Sequence, residues 1–301
     1  MFDFLKVFGL SVALSVALSV GTVGAALAQD GDDGCLGVSD LRDKDIRRNM
    51  AQLGPDSGIC LSELEFSENG LNWRLTIAEN SKHPKGSTIF LLHDNENSAF
   101  DASLYGIKKY GGKLVAVEAG DKRQFKGQDP NRNFGVAKST TSTCRDMRTK
   151  PAPLFTQFLL DLHNGNLNYI LTMHNNANGH SGNGGSGGIS AARNSTVMHG
   201  LQAPNGGDED DAVLLAGTKP YDKNNRAKKA VSYFHKQGIN VIYEHVTPER
   251  NDCSFSNHVV LTGIASYFNI EAEHGHTAQQ KQMLDVLMKF HRMRVRDKSV
   301  N

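Results

Sequence analysis

Tryptophan occurs once in these 301 residues, cysteine four times and proline eight times. The charges nearly cancel, with 33 Lys and Arg against 32 Asp and Glu for a formal net charge of +1. Each scarcity excludes something. Without a basic excess there is no electrostatic footprint for nucleic acid or another polyanion. The small cluster Arg292, Arg294, Arg296 and Lys298 reads as a solvated helix end. No C-x-x-C spacing occurs, which argues against a cysteine-ligated zinc. Beyond residue 28 no apolar run approaches the length that spans a bilayer. There is no internal repeat and no linker-like stretch. A composition of 39% hydrophobic and 22% charged residues is that of an ordinary globular domain.

The first 28 residues read differently from the rest. Lys6 precedes an apolar stretch over residues 7–28 that ends in Ala26-Leu27-Ala28, a small-x-small pattern before the polar Asp30-Gly-Asp-Asp33. This predicts a signal peptide over 1–28, with an uncleaved anchor as the alternative. An exported protein follows, periplasmic or secreted, with no stable membrane association once the signal is removed. Export changes how Cys35, Cys60, Cys144 and Cys253 read, because an even number in an oxidising compartment implies disulfides. Of the possible pairings we expect Cys35–Cys60 and Cys144–Cys253. Residues 29–84, which hold Trp73, read as an N-terminal elaboration of a domain carried by 85–301.

From residue 87 onward strand-like and helix-like segments alternate. Residues 89–92, 114–119, 169–173, 239–243 and 268–273 read as strands. Phe100, Leu104 and Ile107 mark a helix that stops at Gly111-Gly112. Leu154, Phe158 and Leu162 mark a second, and Met283, Leu287 and Phe290 a closing one. Shorter helices are expected over 227–234 and 259–265. Such alternation predicts an α/β fold, a three-layer α/β/α sandwich around a mixed, largely parallel sheet. Residues 178–188 form a glycine-rich stretch that matches no phosphate-cradling spacing. Residues 208–211 read as a solvated acidic turn.

The chemistry concentrates at strand ends. His93-Asp-Asn-Glu96 follows the apolar run 87–92, so an imidazole and a carboxylate leave one strand together. His174 closes another strand. Two nitrogens and a carboxylate oxygen on rigid supports are the three-ligand pattern of a catalytic zinc site with one open position. A helix N-terminus with an incidental histidine is the bland alternative for His93 and Glu96, and His180 is a rival third ligand. In Asp129-Pro-Asn-Arg-Asn-Phe134, Arg132 with Asn131 could fork a substrate carboxylate, while Asp129 could orient a metal-bound histidine. Glu271 lies within an apolar strand pattern as a general base, with Glu273 as competitor two residues on.

In this order, His-x-x-Glu, Asp-x-Asn-Arg, a strand-terminal histidine and a strand-borne glutamate resemble the zinc carboxypeptidase superfamily over roughly residues 85 to 295. The resemblance implies one zinc per chain held by His93, Glu96 and His174. It implies a carboxylate clamp of Asn131 and Arg132, Asp129 behind the metal, and Glu271 as the catalytic glutamate. Arg123 is a candidate for the family's oxyanion-polarising arginine, although it lies closer to Asn-Arg than is usual there. No tyrosine falls where the family's mobile tyrosine does, which leaves Tyr243 and Tyr221 as substitutes. The implied activity is zinc-dependent cleavage of a C-terminal amide bond in an exported-compartment substrate, cell-wall peptides among the candidates. An N-acyl amino acid deacylase of the aspartoacylase or succinylglutamate desuccinylase type is the alternative, and a carboxylate-binding pseudoenzyme the non-enzymatic one. The expected partner is a peptide or N-acyl amino acid with a free carboxylate, bound by a monomer.

Overall fold

The computed structural model describes residues 26–28, 34–135, 151–178 and 189–298. Their scaffold is a 10-stranded mixed sheet. Its central strands are β5 (Lys113–Val117), β4 (Thr88–Leu91), β6 (Tyr169–Asn176) and β10 (Ser266–Glu273), which run parallel side by side. On one flank, β3 (Leu71–Asn80), β2 (Ile59–Glu68) and the short β1 (Ala26–Ala28) add antiparallel. On the other, β8 (Ala212–Gly217) pairs antiparallel to β10 and parallel to β9 (Asn240–His245), and β7 (Met198–Leu201) closes the edge. The four central strands are thus all parallel, one flank is wholly antiparallel, and the other mixes both kinds of pairing.

Strand alternation sorts the side chains into two main cores, one per sheet face, with a small third cluster around Leu214 and Ile242. Ile89, Leu91, Leu171, Met173, Ile270 and Ala272 pack on one face against α2 (Asn97–Tyr110), α4 (Asn225–His235) and α6 (Thr277–Lys298). Phe90, Leu92, Ile170 and Tyr267 point the opposite way, toward α3 (Pro153–Leu162) and α5 (Phe255–Thr262). Residues one apart on a strand face opposite sides, so near-continuous apolar strands need a helical layer on each. This is the expected α/β/α sandwich.

Local chemistry sets the boundaries near the site. α2 stops at Gly111 and Gly112, with φ of 77° and 90°, and a Cβ on Gly112 would sit 2.0 Å from the Ser87 carbonyl oxygen. That close approach lets β5 run beside β4. The Cys35–Cys60 disulfide is present. Cys253 is disulfide-bonded as well, and its expected partner Cys144 lies outside the described residues. So do His180 and residues 179–188. The helix expected over 259–265 instead begins at Phe255, because Ser254 caps it by accepting the Asn257 N–H, and it ends at Gly263 in the left-handed region. Among the described residues no helix is long and apolar enough to cross a membrane.

Candidate metal centre

β4 and β6 lie side by side, and the site forms where both run out. His93 follows β4 directly, while His174 sits near the end of β6 on the face opposite Met173. Glu96 occupies the residue before α2, yet its side chain caps no helix N–H. One of its oxygens meets His93 Nδ1 at 2.8 Å and the other meets His174 Nδ1 at 2.8 Å. Asn175 takes over the capping task by accepting the Ala99 N–H at 3.1 Å, so the helix start is satisfied without Glu96. Glu96 thus stands at the N-cap position, but its carboxylate is turned to the two imidazoles.

The three donor groups lie within 4.8 Å of one another and all are buried. On the far side of the ring, His93 Nε2 meets Asp129 Oδ1 at 2.8 Å. That bond favours the tautomer with the proton on Nε2, which frees Nδ1 as a ligand. Asp129 is itself fixed by accepting the Asn131 N–H at 2.9 Å. Burial would raise its pKa, but the bond from His93 and the charges of His93, Arg123 and Arg132 lower it to about 2. Burial opposes ionisation of Glu96 too, and the two imidazoles outweigh it, holding the carboxyl far below its usual range. For His93, burial disfavours the charged ring, but Glu96 and Asp129 prevail and raise its pKa. His174 Nε2 is buried and makes no hydrogen bond. Two imidazole nitrogens and one carboxylate, converging and buried, fit a zinc ion.

Glu271 stands in register with His174 across the parallel pair of β10 and β6. It is buried and accepts a hydrogen bond from Asn269 Nδ2 at 2.9 Å. Burial raises its pKa, with His174 and Asn269 opposing and Glu96 adding to the rise. Glu273, the competitor, turns away: its carboxylate faces His276 Nε2 at 3.5 Å, and its own N–H donates to Asp211. Asp210 and Asp211 are buried, which corrects the expectation of a solvated turn over 208–211. Asp211 is held there by the Glu273 N–H and by His276 Nδ1 at 2.9 Å.

A small pocket of about 80 Å³ opens beside Glu271, lined by Asn131 and Arg132 among others. Asn131 Oδ1 accepts the Phe255 N–H at 3.1 Å, which ties this turn to the start of α5. Arg132 meets Asp252 at 3.3 Å. Arg123 is half-exposed and reaches Glu96 at 3.4 Å and Asp129 at 3.8 Å, so it belongs to the metal cluster. A far larger cavity of about 1000 Å³ lies at the other end of the sheet, where Tyr169 and Ser266 begin their strands and Ser87 precedes β4. It collects none of the candidate ligands, so size is a poor guide to the chemistry here.

Neither tyrosine substitute serves the site. Tyr243 is fully buried in the opposite core, where its hydroxyl donates to the Lys219 carbonyl, and Tyr221 packs against that same core. The pocket's tyrosine is Tyr267, whose hydroxyl bonds to Thr172 Oγ1 at 2.6 Å. Tyr267, Asn269 and Glu271 alternate along one strand, so period two from Glu271 was the available signal.

No family model and no curated protein matches this chain. Among solved structures it is similar to a candidate metallopeptidase of Shewanella amazonensis, at 13% identity and a TM-score of 0.44, over 88% of this chain and 97% of that one. A candidate metallopeptidase of Shewanella denitrificans is similar at 14% identity and a TM-score of 0.41, over 90% and 96% of the two chains. Thrombin activatable fibrinolysis inhibitor is similar at 8% identity and a TM-score of 0.46, over 88% and 78%. Likenesses this distant leave the reading of the site to its own geometry.

Proposed function

We propose that this chain is an exported, zinc-dependent hydrolase that removes a C-terminal residue from a peptide. The observation that carries this is the convergence of His93 Nδ1 and His174 Nδ1 on the two oxygens of Glu96, with Glu271 in register beside His174. When bound by His93, Glu96 and His174, zinc would supply Lewis acidity to a water molecule and to the substrate carbonyl. The chain's own residues do the rest. Asp129 keeps the His93 ring in its ligating tautomer. Asn131 and Arg132 receive the substrate's terminal carboxylate, a role a planar guanidinium performs better than an ammonium. Arg123, beside the metal cluster, faces the carbonyl oxygen as charge develops on it. Glu271 takes a proton from the attacking water and returns it to the leaving amine, and its raised proton affinity suits both transfers.

Metal content and turnover test this together in one variant. Glu271→Gln should bind one zinc per chain, as the parent does, while hydrolysis of peptides with a free C-terminal carboxylate falls by about 10²–10⁴-fold. Elemental analysis and a hydrolysis panel read the two quantities separately. A parent that holds no zinc at micromolar metal would end the proposal. The same panel includes N-acyl amino acids, on which faster turnover would favour the deacylase reading.

A further inference from the structure

One buried carboxylate beside the site has no part in the chemistry above. β9 turns Val241 and Tyr243 to one core and Ile242 the other way, and Glu244 shares the face of Ile242. That face is the one that carries Glu271, and Glu244 lines the same pocket as Glu271, Asn131 and Arg132. An isolated carboxylate in a buried strand is costly unless something pairs with it. The bond Glu244 accepts is from Ser256 Oγ, at 3.2 Å. Among the described residues no Lys, Arg or His side chain forms an ion pair with it. Arg132 lies within electrostatic reach, but its guanidinium is engaged by Asp252 at 3.3 Å and by the Asn131 carbonyl at 2.8 Å.

The pocket's charges therefore do not balance. Arg132 and Asp252 answer each other, Glu271 serves the reaction, and Glu244 is left over. Burial first, and then Asp252, push its pKa up to about 7, as expected of a carboxyl that lacks a cation. One part of the wall is apolar, made by Met198, Leu214 and Ala216, while Asp252, Ser254, Ser256 and Asn269 line the rest. At about 80 Å³ the pocket is far below the ~300–1,000 Å³ of a typical ligand cavity, so it admits one side chain. An apolar stretch of wall beside a buried carboxylate without an ion-pair partner matches a side chain with a methylene stem and a positive tip.

Building on the hydrolase reading above, we propose that this pocket selects substrates whose C-terminal residue carries a lysine-like cationic side chain, with Glu244 as its counter-charge. The cation completes the ion pair that the fold leaves open, while an acidic side chain meets Glu244 and Asp252 and is repelled.

Specificity ratios test this. Acyl dipeptides ending in lysine, leucine or glutamate are assayed with added zinc on the parent, Glu244→Gln and Glu244→Asp, with circular dichroism confirming the fold of each. We expect kcat/KM in the parent to favour lysine over leucine by tenfold or more, with glutamate poorest. Glu244→Gln should lower the lysine-to-leucine ratio at least tenfold, whereas Glu244→Asp, which keeps the charge, retains most of it. A parent that cleaves leucine as well as lysine, or a ratio that Glu244→Gln leaves in place, overturns the proposal. If no dipeptide is cleaved, the hydrolase reading fails, and binding decides the pocket on its own. Calorimetry then compares Nα-acetyl-lysine with the uncharged Nα-acetyl-norleucine. Tighter lysine binding by tenfold in the parent, abolished by Glu244→Gln, upholds the pocket, and equal binding refutes it.

Discussion

Two buried clusters of ionisable side chains meet at the loop that leaves β4, and the loop divides itself between them. His93 and Glu96 turn to the metal centre, while Asp94 turns to a second group made with Asp43 and Glu118. Proximity does not tell the clusters apart, since in each the candidate ligand atoms lie within 4.8 Å of one another. Their donors do. At the metal centre imidazoles alternate with carboxylates, every charge has a counter-charge, and Glu96 and Asp129 are held well below their usual pKa. In the other cluster carboxylates face carboxylates. Burial, reinforced by neighbouring acids and only partly relieved by backbone N–H groups, lifts Asp94 to about 7, and Asp45 beside the cluster is lifted to about 7 in the same way despite Arg48. Asp94 accepts the N–H groups of Ala119 and Asp121 at 2.8 and 2.6 Å, and Asp43 accepts those of Asp45 and Ile46. The lesson is that mixed donors prepare a site for a soft-tolerant divalent ion, whereas acids alone build a clamp on neighbouring backbone that prefers to keep protons.

The contrast is broken most severely at the metal ligands. His174→Ala removes one of three donors and leaves Glu96 buried with a single imidazole partner. We expect zinc affinity to fall well beyond 100-fold, read by competition with a chromogenic chelator. Retention of tight one-to-one binding would mean that the ion sits elsewhere. A smaller effect is expected one bond further out. Asp129→Asn keeps the shape but weakens the hold on the His93 tautomer, and should cost about 10–100-fold in zinc affinity. No change on this variant would reduce Asp129 to a turn residue that happens to touch the ring.

Most of this arrangement could be read along the chain, for a physical reason. Parallel central strands are apolar on both faces, so 89–92, 169–173 and 268–273 stand out as short apolar runs, and their polar ends mark the site. The flanks were harder. β2 and β3 carry Glu63, Glu65 and Arg74 on a partly solvated side, and charge masks the strand signal there. The turn between them is nonetheless the pair Asn69-Gly70, both with positive φ, the strongest short-range hairpin signal a sequence offers. β8 was too short and uniformly apolar to assign by period. Tyr243 and Glu244 show the same limit within the site, because adjacent residues of one strand serve opposite faces. Which face is which depends on packing partners far away in sequence.

The subtlest test of the contrast is pH. The carboxyls of Asp45 and Asp94 have pKa values raised to about 7 in the folded chain, against about 4 when unfolded. As pH climbs between those values the unfolded chain sheds its protons first. The stability these groups permit is therefore fully present below about pH 4 and is lost as pH rises through about 7. Glu96 and Asp129 run the other way, since their pKa values are depressed, and they cost stability only as pH falls below the ordinary carboxyl range. Asp45→Asn removes one proton-dependent group beside the acidic cluster, within reach of the charges of Asp43 and Asp94, and, with it, an ion pair to the half-exposed Arg48 that is worth little. Melting curves should show the variant gaining on the parent by about 2–6 °C between pH 5 and pH 8, a difference of roughly 1–2 kcal/mol for a domain of this size. A gap that stays constant with pH would mean that Asp45 is already ionised in the folded chain. Millimolar calcium should leave the parent's melting temperature where it is if protons neutralise the cluster. A calcium-induced rise that Asp94→Asn abolishes would instead make the acidic group a cation site, and the two clusters would then differ only in which metal each prefers.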